Sequence, residues 1–277
     1  LFVPVKFPKF DEKFFKNGLK LSYKELALEI IDAFKFDISR EIFASALDRY
    51  DGFDDPHCPV KISKIGEKLY LNELYHGPTR AFKDMALQPF GKILDTLATT
   101  RGEKYLVMCA TSGDTGKAAM SGFCDVEGTG IIVFYPKDGV SNVQRLQMVT
   151  QKGDNTDVVA IHGNFDDAQS GVKKIFSDKD FAKKLSENGI QLSSANSINI
   201  GRLVPQIAYY VYAYVKLLET GDIVAGEKIN VCVPTGNFGN ILAAYIGKQM
   251  GLPVDKLICA SNENKVLFDF FENGVYD

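Results

Sequence analysis

The run that holds the most chemistry in this 277-residue chain is His76-Gly77-Pro78-Thr79-Arg80-Ala81-Phe82-Lys83-Asp84. Gly-Pro stops one element and an apolar helical pattern starts beyond the lysine, which puts Lys83 at a loop-to-helix junction. An ammonium packed there between Phe82 and Met85 is disfavoured by desolvation and by the positive end of the helix dipole. The neutral amine that results is the form Schiff-base chemistry uses. A solvated lysine at a helix start is the plainer alternative, and this stretch alone leaves both open.

Three further stretches carry candidate groups. Thr111-Ser112-Gly113-Asp114-Thr115-Gly116-Lys117 follows a strand-like run, but it lacks the first glycine of a P-loop and Ala118 replaces its magnesium-binding hydroxyl, so a nucleotide site is not expected. Asp114 or Thr115 as a helix cap is the simpler role. Thr235-Gly236-Asn237-Phe238-Gly239-Asn240 sits between a strand and a helix, where backbone amides and the helix start suit a phosphate, although a tight turn also selects glycine. Asn196-Ser197-Ile198-Asn199 leads through Arg202 into a tyrosine-rich helix; capping residues and a surface charge would account for it equally well. His76 reads as a turn-fixing hydrogen bonder and His162 as structural. His57-Cys58 lacks a second ligand pair, so no metal site is expected.

These elements need a scaffold that brings loops from distant positions to one place. Largely apolar strands (105–109, 131–135, 158–161, 229–233, 257–260) alternate with helical patterns, the signature of α/β folds with parallel sheets covered on both faces. Ser22 and Glu25 form a capping box for a helix over 23–34, Ser39 begins another, and 60–65 and 69–74 flank a turn at Gly66. Domains are expected at 1–58 (an N-terminal helical segment), 59–195 (a first α/β domain with the lysine) and 196–277 (part of a second). With 45% hydrophobic and 24% charged residues, a net charge of −3 and no basic run, the chain is globular and unsuited to nucleic acid. No apolar run reaches the roughly 20 residues of a membrane span, and a cytoplasmic setting is the default. The first residues, Leu1-Phe2-Val3-Pro4, and the last, up to Asp277, look like cut ends, as if the chain were a fragment.

Taken in order, the His-Gly-Pro-Thr-x-Ala-Phe-Lys-Asp run, Ala110 to Gly116, Asn196 to Asn199 with Arg202, Pro205 and Gln206, and Pro234 to Asn240 resemble the motifs of the threonine synthase family over essentially the whole chain. That resemblance implies a tryptophan-synthase-β-like fold using pyridoxal 5'-phosphate, and conversion of O-phospho-L-homoserine and water to L-threonine and phosphate. It implies that Lys83 bonds the cofactor and moves protons, and that Gly236, Asn237, Phe238, Gly239 and Asn240 hold the cofactor phosphate. Ser112, Gly113, Asp114 and Thr115 would grip the substrate carboxylate. Asn196, Ser197 and Asn199 would face the site, and Arg202 would meet the substrate phosphate. The hydroxyl that this family sets against the pyridine nitrogen is not recognisable before Asp277. The alternatives are a related lyase or dehydratase, or a chain that binds anions without catalysis. A monomer or homodimer is expected, acting on a small molecule.

Overall fold

The computed structural model describes residues 4–275 except 198, 235 and 264. Leu1 to Val3, Tyr276, Asp277 and two motif residues, Ile198 and Thr235, therefore lie outside the described residues. Helices α1 (Glu12–Gly18), α2 (Tyr23–Asp32) and α3 (Arg40–Leu47) lead through a 3-10 turn (Asp48–Gly52) to the strands β1 (Lys61–Gly66) and β2 (Leu69–Glu73). Next come α4 (Asp84–Arg101), β3 (Lys104–Ala110), α5 (Asp114–Phe123), β4 (Thr129–Pro136), α6 (Asn142–Val149), β5 (Thr156–Ile161), α7 (Phe165–Ser177), α8 (Lys179–Glu187) and β6 (Ile190–Ser194). The chain continues with α9 (Ile200–Glu219), β7 (Ile229–Pro234), α10 (Gly239–Met250), β8 (Val254–Ala260) and α11 (Val266–Asn273).

The class is α/β. A four-stranded sheet in the order β5-β4-β3-β6 is parallel throughout, β7 and β8 form a second parallel pair, and β1 and β2 make an antiparallel hairpin. The capping boxes at Ser22/Glu25 and Ser141/Gln144 both form. Ser39 stands at the start of α3, but its side chain makes no capping bond there. Two elements were not foreseen. Strand β6 is a half-buried edge whose Ile190-Gln191-Leu192-Ser193-Ser194 lacks the apolar run of the central strands. Helix α1 is two turns long and starts on Asp11, which accepts from the amide of Phe14.

Helix α4 joins two cores. Met85 and Ile93 pack with α2, α3, α9 and α10, while Leu87, Phe90 and Leu94 pack with α5 and the four-stranded sheet. Helices α4 and α5 touch through glycines: a methyl on Gly91 would run into the carbonyl oxygen of Gly122, and one on Gly122 into that of Leu87. Pro89 inside α4 has no N–H to give to the carbonyl four residues earlier. The buried hydroxyl of Tyr50 donates to that carbonyl, on Met85, at 2.5 Å. Among the described residues no helix is long and apolar enough to cross a membrane.

Candidate active site

Lys83 occupies the N-cap position of α4 and is 7% exposed. Its Nζ donates to Oδ2 of Asp114, the first residue of α5, at 2.5 Å and lies 4.7 Å from the centre of the Phe82 ring. Burial pushes the lysine pKa below its ordinary value, the neighbouring Arg202 adds to that lowering, and the Asp114 carboxylate opposes it. Desolvation, anticipated from the sequence, is thus the largest cause.

A second carboxylate shapes the loop that delivers the lysine. Asp84, fully buried, accepts from both the amide and the hydroxyl of Thr79 at 2.8 Å. Gly77 must be bare, since a methyl there would stand 2.6 Å from that carboxylate. His76 holds the other side: Nε2 is 2.8 Å from Glu73 Oε2 and Nδ1 is 3.4 Å from Asp54 Oδ2. Ser63 also donates to Glu73, and these bonds hold the Glu73 carboxyl down at about 2. Arg80, exposed and at φ 60°, pairs with Asp54. The turn-fixing role expected of His76 matches this geometry.

The loop before α5 is organised by Thr111, whose Oγ1 accepts from the amides of Gly113 (2.9 Å) and Gly116 (2.8 Å). Gly113 has φ 143°, and a side chain there would strike Gln144, so no other residue fits. Asp114 Oδ1 accepts from the amide of Thr115 at 2.8 Å, which leaves Oδ2 for Lys83. The sequence reading grouped Asp114 with the residues gripping a substrate carboxylate. Its side chain is an anion committed to an amine, and in this loop it is Ser112 that is exposed while Gly113 and Thr115 are buried.

Asn196 spans the end of β3: Oδ1 accepts from the amide of Ala110 at 3.1 Å and Nδ2 donates to its carbonyl at 2.8 Å. Asn199 caps α9 by accepting from the amide of Gly201 at 2.9 Å, and donates to the carbonyl of Ser194 at 3.1 Å. Both asparagine side chains therefore serve the backbone. Ser197 adjoins the phosphate-loop candidate, its Cβ being 3.3 Å from where a methyl on Gly239 would stand. Arg202 is 3% exposed; Nη1 donates to the carbonyl of Ala195 at 2.7 Å, while Nε has no hydrogen-bond partner. Cys109 is buried beside the cluster; burial pushes its thiol up to about 12, with smaller influences from Arg202, Lys83 and Asp114.

In the loop before α10, Phe238 adopts φ 56° at the helix start, an uncommon choice for a bulky side chain. The Gly239 amide donates to Asn237 O at 2.7 Å, Gly236 and Asn237 are exposed, and a methyl on Gly236 would meet nothing within 4 Å. Asn240 does not turn its side chain to that loop. Its Oδ1 accepts from the hydroxyls of Tyr209 and Tyr210, the latter at 2.6 Å, and so pins α10 to α9.

The structure thus gathers Lys83, Asp114, Arg202 and Cys109 into one cluster, buried except for the half-buried Asp114, and sets Ser197 beside Gly239. A buried amine biased towards neutrality, a buried guanidinium with an unused N–H and a helix start with open space before it fit a small molecule carrying an aldehyde and an anionic group.

The family profile described as pyridoxal-phosphate dependent enzyme matches residues 57–277. Threonine synthase of Pseudomonas aeruginosa is 40% identical over 278 residues, a match covering all of this chain and 57% of that protein. Human threonine synthase-like 1 is 39% identical over 287 residues, covering all of this chain and 38% of that protein. The crystal structure of pyridoxal-phosphate-bound threonine synthase from Brucella melitensis superposes with a TM-score of 0.87 at 36% identity, covering 100% of this chain and 58% of that one. The chain therefore spans between about two fifths and three fifths of the length of these relatives.

Proposed function

We propose, for a chain that belongs to the pyridoxal-phosphate dependent enzyme family, the work of a threonine synthase: O-phospho-L-homoserine and water become L-threonine and phosphate. The observation that carries this reading is the buried lysine at the head of α4, its ammonium disfavoured and its Nζ held 2.5 Å from Asp114 beside a buried arginine. Pyridoxal phosphate, when bound, supplies an electron sink for carbanionic charge on the substrate.

The chain's own residues do the rest. Lys83 would hold the cofactor covalently and would take up and return protons at Nζ. The backbone of Gly236, Asn237, Phe238 and Gly239 would hold the cofactor phosphate, with Asn240 anchoring that loop to α9. Ser112 and the backbone around it orient the substrate carboxylate, and Ser197 lies at the seam between the two loops. Arg202 offers Nε to the substrate phosphate, where a guanidinium acts as a fork. Burial of Lys83 keeps water from the amine.

The same reading divides the chain at residues 58 and 195, since the four-stranded sheet lies wholly in one part and the β7-β8 pair in the next. A cytoplasmic setting, as a monomer or homodimer, completes it. The second reading is a related lyase that releases a ketoacid and ammonia. It stands beside the first because a relative named only threonine synthase-like 1 is about as similar as one named threonine synthase.

Two measurements test this. Incubation with pyridoxal phosphate, borohydride reduction and peptide mapping should find the adduct on Lys83, and Lys83→Ala should lose both the adduct and turnover. An adduct on another lysine, or substantial threonine production by Lys83→Ala, overturns the assignment. Product analysis on O-phospho-L-homoserine then separates threonine from ketoacid.

A further inference from the structure

We infer that Asp114 is the proton partner of Lys83: it anchors the ammonium in the cofactor-free chain and accepts its proton when the amine is called on as a nucleophile. The inference rests on the reading of Lys83 as the cofactor-bonding lysine, and it gives Asp114 a task different from gripping a substrate carboxylate.

The geometry is specific. Asp114 Oδ2 lies 2.5 Å from Nζ, and the Thr115 amide fixes the other oxygen at 2.8 Å, so the carboxylate has one oxygen for the backbone and one for the amine. Lys83 is at the head of α4 and Asp114 at the head of α5, and the two helices meet again about two turns on, at Gly91 and Gly122. Their spacing is therefore set by backbone contact, not by flexible side chains. The groups acting electrostatically on the amine are Asp114 from α5, Arg202 from α9 and Cys109 from β3, with the Phe82 ring alongside. Arg202 repels an ammonium and the Cys109 thiol is held protonated, so Asp114 is the carboxylate among them. Its side chain is 38% exposed, against 8% for that of Lys83, so it can pass a proton on to water where the lysine cannot. In the step proposed, one N–H bond of the ammonium breaks, an O–H bond forms on Oδ2, and the electron pair stays on Nζ. A neutral amine remains, next to a neutral acid.

The test is labelling of the cofactor-free chain by reductive methylation with formaldehyde and a borane reagent, scored on the Lys83 peptide by mass spectrometry over a series of pH values. Removing the carboxylate in Asp114→Asn should move the reactive midpoint to lower pH. Labelling at a fixed pH below both midpoints then rises about tenfold for each unit of displacement. Asp114→Glu, which keeps the charge, should stay near the wild-type midpoint. An unchanged midpoint in Asp114→Asn, or an equal shift in both variants, overturns the proposal; the midpoint is independent of how accessible the amine is, which alters only the plateau. Borohydride fixation of pyridoxal phosphate on the wild type is scored separately. Fixation with no midpoint shift defeats the role of Asp114 and leaves the functional reading standing, whereas a shift with no fixation leaves the ion pair but overturns the functional reading and the nucleophile's proton transfer with it.

Discussion

Arg202 is buried to 3% exposure with Nε unbonded, and a desolvated guanidinium with an unused donor is a standing cost unless an anion completes it. Arg202→Lys keeps the charge and loses the fork, so about 1.5–3 kcal/mol of charge-assisted bonding should go. The expected result is a roughly ten- to hundredfold rise in KM for the phosphorylated substrate, with a parallel weakening of inhibition by inorganic phosphate. If neither moves, Arg202 has no contact with the leaving group. Glu73 yields a pH prediction. Its carboxyl sits at about 2, below its ordinary 4.5, because Ser63 and His76 bond the ionised form. The folded state thus binds that proton less readily than the unfolded one, and the stabilisation is whole above pH 4.5 and drains away between there and about 2. Thermal melts across that range should show a flatter acid limb in Glu73→Gln than in wild type. At this scale the sequence was informative about which residues matter and much less so about where they point. Lys83 was singled out by its type and its place at a helix start, and Arg202 by the motif resemblance; both side chains are buried. The pairing of Asp114 with Lys83 was not legible, because one turn of backbone at Gly113 decides which way its carboxylate faces. The bonds of the Asn240 side chain were hidden as well, because its partners, Tyr209 and Tyr210, are set by the helical register of α9.

Elements carry the next set of constraints. Helices α4 and α5 bear the Lys83–Asp114 pair at their heads and cross at a contact that admits no Cβ, so the crossing sets the distance in the pair. Gly122→Ala should push the helices apart, costing about 1–3 kcal/mol as overpacking does. Fixation of pyridoxal phosphate on Lys83 should fall with it, although Gly122 is remote from the amine. Full fixation in a destabilised Gly122→Ala would show that the pair tolerates the spread. The Pro89 site offers an independent check: Tyr50→Phe leaves the Met85 carbonyl buried without its donor and should cost about 1–3 kcal/mol in denaturant unfolding. Pro89→Ala restores a backbone N–H to the same carbonyl and should recover much of that loss in the double variant. Periodicity and capping residues revealed most helices and the central strands. The edge strand β6 and the close crossing of α4 and α5 were hidden for the same reason. Each is fixed by a neighbour distant in sequence: β6 by its parallel register with β3, Gly91 by the carbonyl of Gly122.

For the whole molecule the core shows what the leading helices do. Tyr23, Leu26, Ile30 and Ile31 of α2 and Phe43 and Leu47 of α3 are buried in one cluster with Leu203, Val204, Ile207, Val211 and Val215 of α9. Phe10 reaches further, its amide donating to Met250 O at the end of α10, where Gly251 leaves no room for a side chain. A fully buried aliphatic side chain is worth about 1.5–3 kcal/mol, comparable in sum over a few such residues to the whole stability of a domain. Helices α1 and α2 are therefore the back wall of α9, and α9 carries Arg202 near its head and the tyrosines that hold Asn240. Deleting residues 1–58 should strip α9 and α10 of their packing while leaving the four-stranded sheet its own core of Val107, Phe123, Ile131 and Val133. Hydrogen exchange should then show lost protection over 203–217 and 239–250 with protection retained in β3 and β4, and phosphate binding should vanish along with it. Equal protection of α9 in the shortened chain would mean that the helix stands on its own contacts, and that the leading segment contributes nothing to the site.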